Sequence, residues 1–208
     1  MRISGIVAAV VVAVSGTVHG QAPGPQIAVG AMAPAFSVQD DRGQTRSLDE
    51  FKGKYLVIEW HEKGCPYVSK HYKTGHMQKL QQAWMARGVQ WLLVTSSAEG
   101  NHSYLTADES RAYRKEIGAT PTAHLLDVKG VMGRRYGVTT ALHMVIVDPT
   151  GTVAYNGAID DKPTQMAADL ATATNYVQSA LTALLAGGSA NPSKTVPYGC
   201  AVHYSGGQ

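Results

Sequence analysis

The feature that most constrains the fold is a junction. The β-rich apolar run Tyr55 to Trp60 gives way, after His61, Glu62, Lys63 and Gly64, to Cys65 followed at once by Pro66. The run follows the turn-forming Lys52, Gly53 and Lys54 and reads as a buried central strand. Proline is favoured at the first position of a helix, where its missing N–H would be unpaired anyway. The segment after it places Val68, Tyr72, Leu80 and Trp84 at helical spacings, with a bend near Gly75 and a stop at Gly88. Cys65 therefore sits where a strand hands over to a helix N-terminus. There the partial positive charge and free N–H groups of the first turn favour a thiolate, the nucleophilic form of cysteine.

The rest of the chain alternates in the same way. A short strand at Phe36 to Gln39 meets the turn Asp40 to Gly43, and Val89 to Thr95 is a second apolar strand. Thr106 with Glu109 forms a capping box for a helix over Ala107 to Ile117, closed by Gly118. Short strands follow at Ala123 to Leu126, His143 to Val147 and Thr152 to Tyr155, the last two joined by the hairpin turn Asp148 to Gly151. A final helix over Asn175 to Ala186 ends at Gly187 and Gly188. This order predicts an α/β fold, a central mixed sheet flanked by helices on both faces, with chemistry beyond the carboxyl ends of the strands. Trp60, Trp84 and Trp91 read as core, and Asp160 with Asp161 as a solvated acid pair in a loop between turn residues.

The first 20 residues have a different character. Arg2 precedes an apolar run from Ile3 to Val14, and small or turn-forming residues follow at Ser15, Gly16 and Gly20, the layout of a secretory signal peptide. The run is too short for a bilayer-spanning helix. Residues 21–34 then form an arm, 35–188 one domain, and 189–208 a tail carrying Cys200. The expected location is periplasmic or secreted, with no membrane association once the leader is removed. The formal net charge is only +3, without a basic stripe, so nucleic acid is not an expected partner.

Cys65 and Cys200 are the only cysteines. An even count in an oxidising compartment points to pairing. The bond is then either a permanent staple closing a loop of about 135 residues, contributing on the order of 4–5 kcal/mol in the chain-entropy model, or a working redox couple.

The stretch from Trp60 through Cys65, Pro66, Tyr67 and Val68 to His71 resembles the active-site turn of thioredoxin-like redoxins related to the alkyl hydroperoxide reductase/thiol-specific antioxidant group. Gly30 to Ser37 is similar to that group's first strand, Tyr136 to Val138 to its mid-domain turn, and His143 to Asp148 with Gly151 to its closing hairpin. Tyr198 to Tyr204, around Cys200, resembles the tail of an exported subgroup. The resemblance implies a thioredoxin-like fold and a thiol-dependent oxidoreductase. Cys65 would be the nucleophile, Cys200 the resolving thiol on a flexible glycine-containing tail, and Glu59 a buried acid exchanging protons with the thiols. Trp60, Pro66, Leu142 and His143 would support or bind substrate. The implied partners are a thiol or disulfide protein, or a peroxide, and an external thiol reductant; no cofactor and no resident metal is called for.

Departures shape this reading. Val68 replaces the second cysteine of a Cys-x-x-Cys pair. Glu62 and Ile58 stand where peroxiredoxins have Thr or Ser and Pro, so a carboxylate that raises a neighbouring thiol pKa replaces the hydroxyl donor. Thiol-disulfide exchange is therefore the first expectation and peroxide reduction the second. Leu142 takes the place of the cis-proline, and an ordinary trans loop is expected. For Glu59 the other reading is a partly exposed acid paired with Lys54 or Lys63. A non-catalytic domain with a structural disulfide, or one binding metal through His61, Cys65, His71, His76 and His203, is the remaining alternative. These histidines match no recognised zinc spacing, His71 and His76 do not share one face of a straight helix, and all read as surface residues.

Overall fold

A computed structural model describes residues 25–204, so the proposed leader lies outside the described residues. The centre is a five-stranded mixed sheet. Its strands are β3 (Leu56–Trp60), β4 (Gln90–Thr95), β5 (Ala123–Leu126), β6 (Met144–Val147) and β7 (Val153–Gly157), in the order β5-β4-β3-β6-β7. β3, β4 and β5 run parallel, whereas β6 and β7 are antiparallel to their neighbours. A small hairpin of β1 (Ser37–Gln39) and β2 (Thr45–Ser47) lies outside the sheet. The helices are α1 (Pro66–Lys73), α2 (His76–Met85), α3 (Ala107–Glu116), α4 (Val131–Arg135) and α5 (Tyr176–Leu185). Among the described residues no helix is long and apolar enough to cross a membrane.

Two apolar cores fill the two faces, as alternation along each strand requires. Val57, Trp91, Leu93, Met144 and Ile146 face a core completed by α1, α2 and α5. Leu56, Ile58, Trp60, Leu92 and Val145 face the other, completed by Phe36, Phe51, Met132, Tyr136 and Tyr204. β3 is buried along its whole length, which explains its near-continuous apolar sequence and makes Glu59 conspicuous within it.

The helix expected from Pro66 to Gly88 is two helices. Gly75, at φ 73°, takes the left-handed conformation that glycine adopts without steric cost, and there the chain turns out of α1 into α2. The turn brings Nδ1 of His71 within 3.1 Å of Nδ1 of His76, a contact that a straight helix would forbid. α4 was not expected, because its five residues are too few to show a helical period.

Two further expectations fail. Asp160 is not a solvated acid but is buried, with Lys70 and His71 at 3.8 and 3.6 Å and the Tyr198 hydroxyl donating to it. His61 and His71 are not surface residues either, at 3% and 0% exposure. His71 lies on the buried face of α1, and His61 directly follows the buried strand β3, packed against Tyr72 and Tyr113.

Candidate active site

Cys65 is the N-cap of α1, with Pro66 exposed at the first helical position. Its carbonyl accepts from Ser69 N–H at 2.9 Å, closing the first turn, while the side chain is 4% exposed at the edge of the first core. Cys65 and Cys200 form a disulfide, with Cα atoms 5.8 Å apart. Cys200 is half-buried, and its backbone N–H donates to Sγ of Cys65 at 3.3 Å. The first-turn amides of Tyr67 and Val68 have no partner within the helix. Cys65 thus stands at a helix N-terminus, without a side-chain capping hydrogen bond, and its Sγ has a main-chain donor; both the terminus and the donor favour negative charge on sulfur.

The tail is docked rather than loose. The Ala141 N–H donates to the Cys200 carbonyl at 2.8 Å and the Val202 N–H to Thr139 at 2.9 Å, while Val202 and Tyr204 are buried. Gly199 makes this approach feasible, since a Cβ there would lie 2.3 Å from the Ala141 carbonyl oxygen. It serves close contact and is not a hinge. The apposed segment includes Leu142, whose preceding peptide is trans as expected but whose φ of 56° is left-handed, so the loop is not ordinary. That conformation costs roughly 1–2 kcal/mol outside glycine. It is held by complete burial and by the Leu142 N–H donating to the Trp60 carbonyl at 2.7 Å.

Glu59 has no exposure and no lysine partner. Its Oε1 accepts from the Tyr72 hydroxyl at 2.9 Å, and its Oε2 from Trp91 Nε1 at 2.9 Å and Gln81 Nε2 at 3.4 Å. None of these partners is Cys65; the carboxyl and the sulfur share only α1, which carries Tyr72 and begins after Cys65. The His61 ring stands edge-on to Tyr72, 5.0 Å between centroids, and its Nε2 is 3.1 Å from the Tyr113 hydroxyl. Burial pushes the Tyr113 hydroxyl up to about 12 and, with the Glu59 carboxylate beside it, holds that of Tyr72 well above its ordinary range. Sequence reasoning missed this cage. Tyr72 and Trp91 read as core residues, and only the acid within an apolar strand could have signalled that they face a carboxylate.

Trp60 and His143 belong to the other face. Trp60 is 1% exposed and its Nε1 donates to Ser96 Oγ at 3.2 Å. His143 is fully buried, its Nε2 paired with Asn156 Oδ1, and burial pulls it down to about 4. Both support the backbone at the end of β3, where the Trp60 N–H donates to the His143 carbonyl at 3.0 Å. One groove beside the first turn of α1 is lined by Lys63, Gly64, Val68, Ser69, Tyr72 and Lys73. Glu62, three residues before Cys65, is 3% exposed. Burial raises its pKa, opposed by the Ser103 hydroxyl and by His203, His102 and His61.

The sequence profile of the AhpC/TSA family matches residues 29–156, more than half of the chain. The chain belongs to the AhpC/TSA family. No curated protein matches it by sequence. Among solved structures it is similar to an uncharacterized conserved protein from Geobacillus kaustophilus, at 20% identity and a TM-score of 0.75, covering 88% of this chain and 96% of that one. A hypothetical protein from Sinorhizobium meliloti 1021 is similar at 21% identity and a TM-score of 0.73, with 90% and 100% covered. The thioredoxin domain of a thiol-disulfide oxidoreductase from Bacteroides vulgatus is similar at 23% identity and a TM-score of 0.51, with 63% and 89% covered. These likenesses show that this AhpC/TSA member has the thioredoxin-like fold.

Proposed function

We propose that this AhpC/TSA-family chain is an exported thiol-disulfide oxidoreductase, acting in the periplasm or outside the cell, with Cys65 as nucleophile and Cys200 as resolving thiol. The observation that carries the reading is the setting of one sulfur: Cys65 is the N-cap residue of α1, and its Sγ accepts the Cys200 N–H and is bonded to the only other cysteine. A sulfur so placed is a good nucleophile when reduced and a good leaving group when oxidised. The likeness to a thiol-disulfide oxidoreductase domain agrees with it.

In the forward reaction the Cys65 thiolate attacks one sulfur of a partner disulfide and expels the other as a thiolate. The Cys200 thiolate then attacks Sγ of Cys65, releasing the second partner sulfur and forming the internal disulfide. Two electrons pass to the partner, whose two thiolates take up protons. An external dithiol resets the couple: one of its thiolates attacks the sulfur of the half-buried Cys200, and Cys65 departs as the stabilised thiolate. The second thiolate then attacks the reductant sulfur of the mixed disulfide, freeing Cys200 and leaving the reductant as its own disulfide. Access to Cys65 requires the tail to lift from Ala141. Glu59 is the acid assigned to proton exchange with the thiols; its complete burial on the strand that leads to Cys65, and its bond to Tyr72 of α1, support that assignment.

Family membership favours peroxide reduction as a second reading. Against it stands Glu62, a buried carboxyl in the place of a hydroxyl donor. A Cys200→Ser variant treated with candidate disulfide proteins and with hydrogen peroxide separates the two. A covalent protein adduct on Cys65, found by mass spectrometry, is expected; a sulfenic acid formed at low peroxide, without protein adducts, would replace this reading with the second.

A further inference from the structure

The disulfide joins more than two sulfurs. Glu62 lies three residues before Cys65 and His203 three residues after Cys200, so the bond draws a carboxylate and an imidazole from distant parts of the chain to one place. His102, in the loop between β4 and α3, closes the third side. One ligand atom from each of Glu62, His102 and His203 lies within 4.8 Å of the other two.

Three observations set this group apart from a chance cluster. Glu62 is 3% exposed, yet its Oε2 has no hydrogen-bond donor among the described residues. A buried carboxylate oxygen without a partner is unfavourable unless a proton or a cation neutralises it, and with two imidazoles beside it a cation can do so with all three groups as ligands. Second, neither imidazole has a side-chain hydrogen bond among the described residues, although the rings stand edge to face with centroids 5.2 Å apart. Third, the loop is fastened to both arms: the Ala98 N–H donates to the His203 carbonyl at 3.3 Å, and Ser103 Oγ donates to the Lys63 carbonyl at 3.2 Å. The ligand-bearing segments are thus positioned by contacts that do not use the ligand atoms.

We propose that Glu62, His102 and His203 form a binding site for a divalent transition cation of the zinc class, assembled where the Cys65–Cys200 disulfide pins the tail beside the active-site turn. Two imidazoles and one carboxylate suit zinc and similar borderline ions, and leave a further coordination position open. The exposure of His102 gives that position access to solvent. The site stands whether or not the cysteines turn over, since it uses the oxidised chain and no thiolate.

The test is titration of the full oxidised chain with zinc, by calorimetry or by competition with a chromogenic chelator. Free thiol assay confirms that no thiolate contributes. One zinc per chain is expected, with a Kd in the micromolar range or tighter. The isosteric E62Q variant and the surface variant H102A are each expected to weaken binding by at least about tenfold, with the disulfide and the circular dichroism spectrum unchanged. Absence of stoichiometric binding overturns the proposal. So does binding that survives E62Q and H102A but is lost in H76A, which would place the ion at the His71–His76 contact instead.

Discussion

The backbone N–H of Cys200 donates to Sγ of Cys65 over 3.3 Å, while the carbonyl of Cys200 accepts from Ala141. A main-chain donor survives replacement of its own side chain, so the setting of Cys65 can be probed without its partner sulfur. In Cys200→Ser, the Cys65 thiol is expected to titrate at least about one unit below the ordinary value of about 8.5, read from the pH dependence of alkylation. A midpoint at or above the ordinary value would remove the basis for its nucleophilicity.

The tail is also held by a buried ionic cluster. Lys70 Nζ donates to the Lys162 carbonyl at 2.7 Å and to the Tyr198 hydroxyl at 3.2 Å, and it faces Asp160. Removing one member of a buried ion pair leaves the other charge uncompensated and costs about 3–5 kcal/mol. Asp160→Ala is expected to lose stability of this order in urea unfolding of the oxidised chain. A loss no larger than that of a typical surface substitution would contradict the assignment.

His143 gives a pH dependence with a definite sign. Its folded pKa is depressed to about 4, so between that value and the unfolded value near 6.5 the unfolded chain binds the extra proton. Its contribution is complete above about pH 6.5 and is lost as pH falls toward 4. His71, held down to about 3 mainly by burial and next by Lys70, acts in the same direction. Urea unfolding should therefore show stability falling between pH 7 and 5, with a shallower fall in His143→Gln; an equal slope in that variant would show that His143 is not responsible.

Much of the architecture is legible in local pattern. The capping box of Thr106 and Glu109, the hairpin turn at Asp148 to Gly151 and the Cys65–Pro66 junction are local signals, and each stands where the sequence places it. What escapes the sequence is made by distant segments. Nothing near Asp160 announces that Lys70 and Tyr198 will enclose it, and the sequence leaves Glu59 open between a buried acid and a surface pair and does not show its donors Tyr72, Gln81 and Trp91. His102 has no local cue at all, because its relation to Glu62 and His203 exists only after the tail docks. At Gly75 the cue was present but ambiguous: a glycine in a helical pattern is compatible with a bend or with a left-handed break, and packing chose the break.

The account depends on the Cys65–Cys200 bond opening and closing as a working couple. Its reduction potential, measured by equilibrating the full chain with defined thiol-disulfide buffers and counting free thiols, tests this directly. The expected value lies in the range of thiol oxidoreductases, roughly −120 to −270 mV. A bond that stays closed until the buffer falls below about −300 mV would be a structural staple and would contradict the proposed activity.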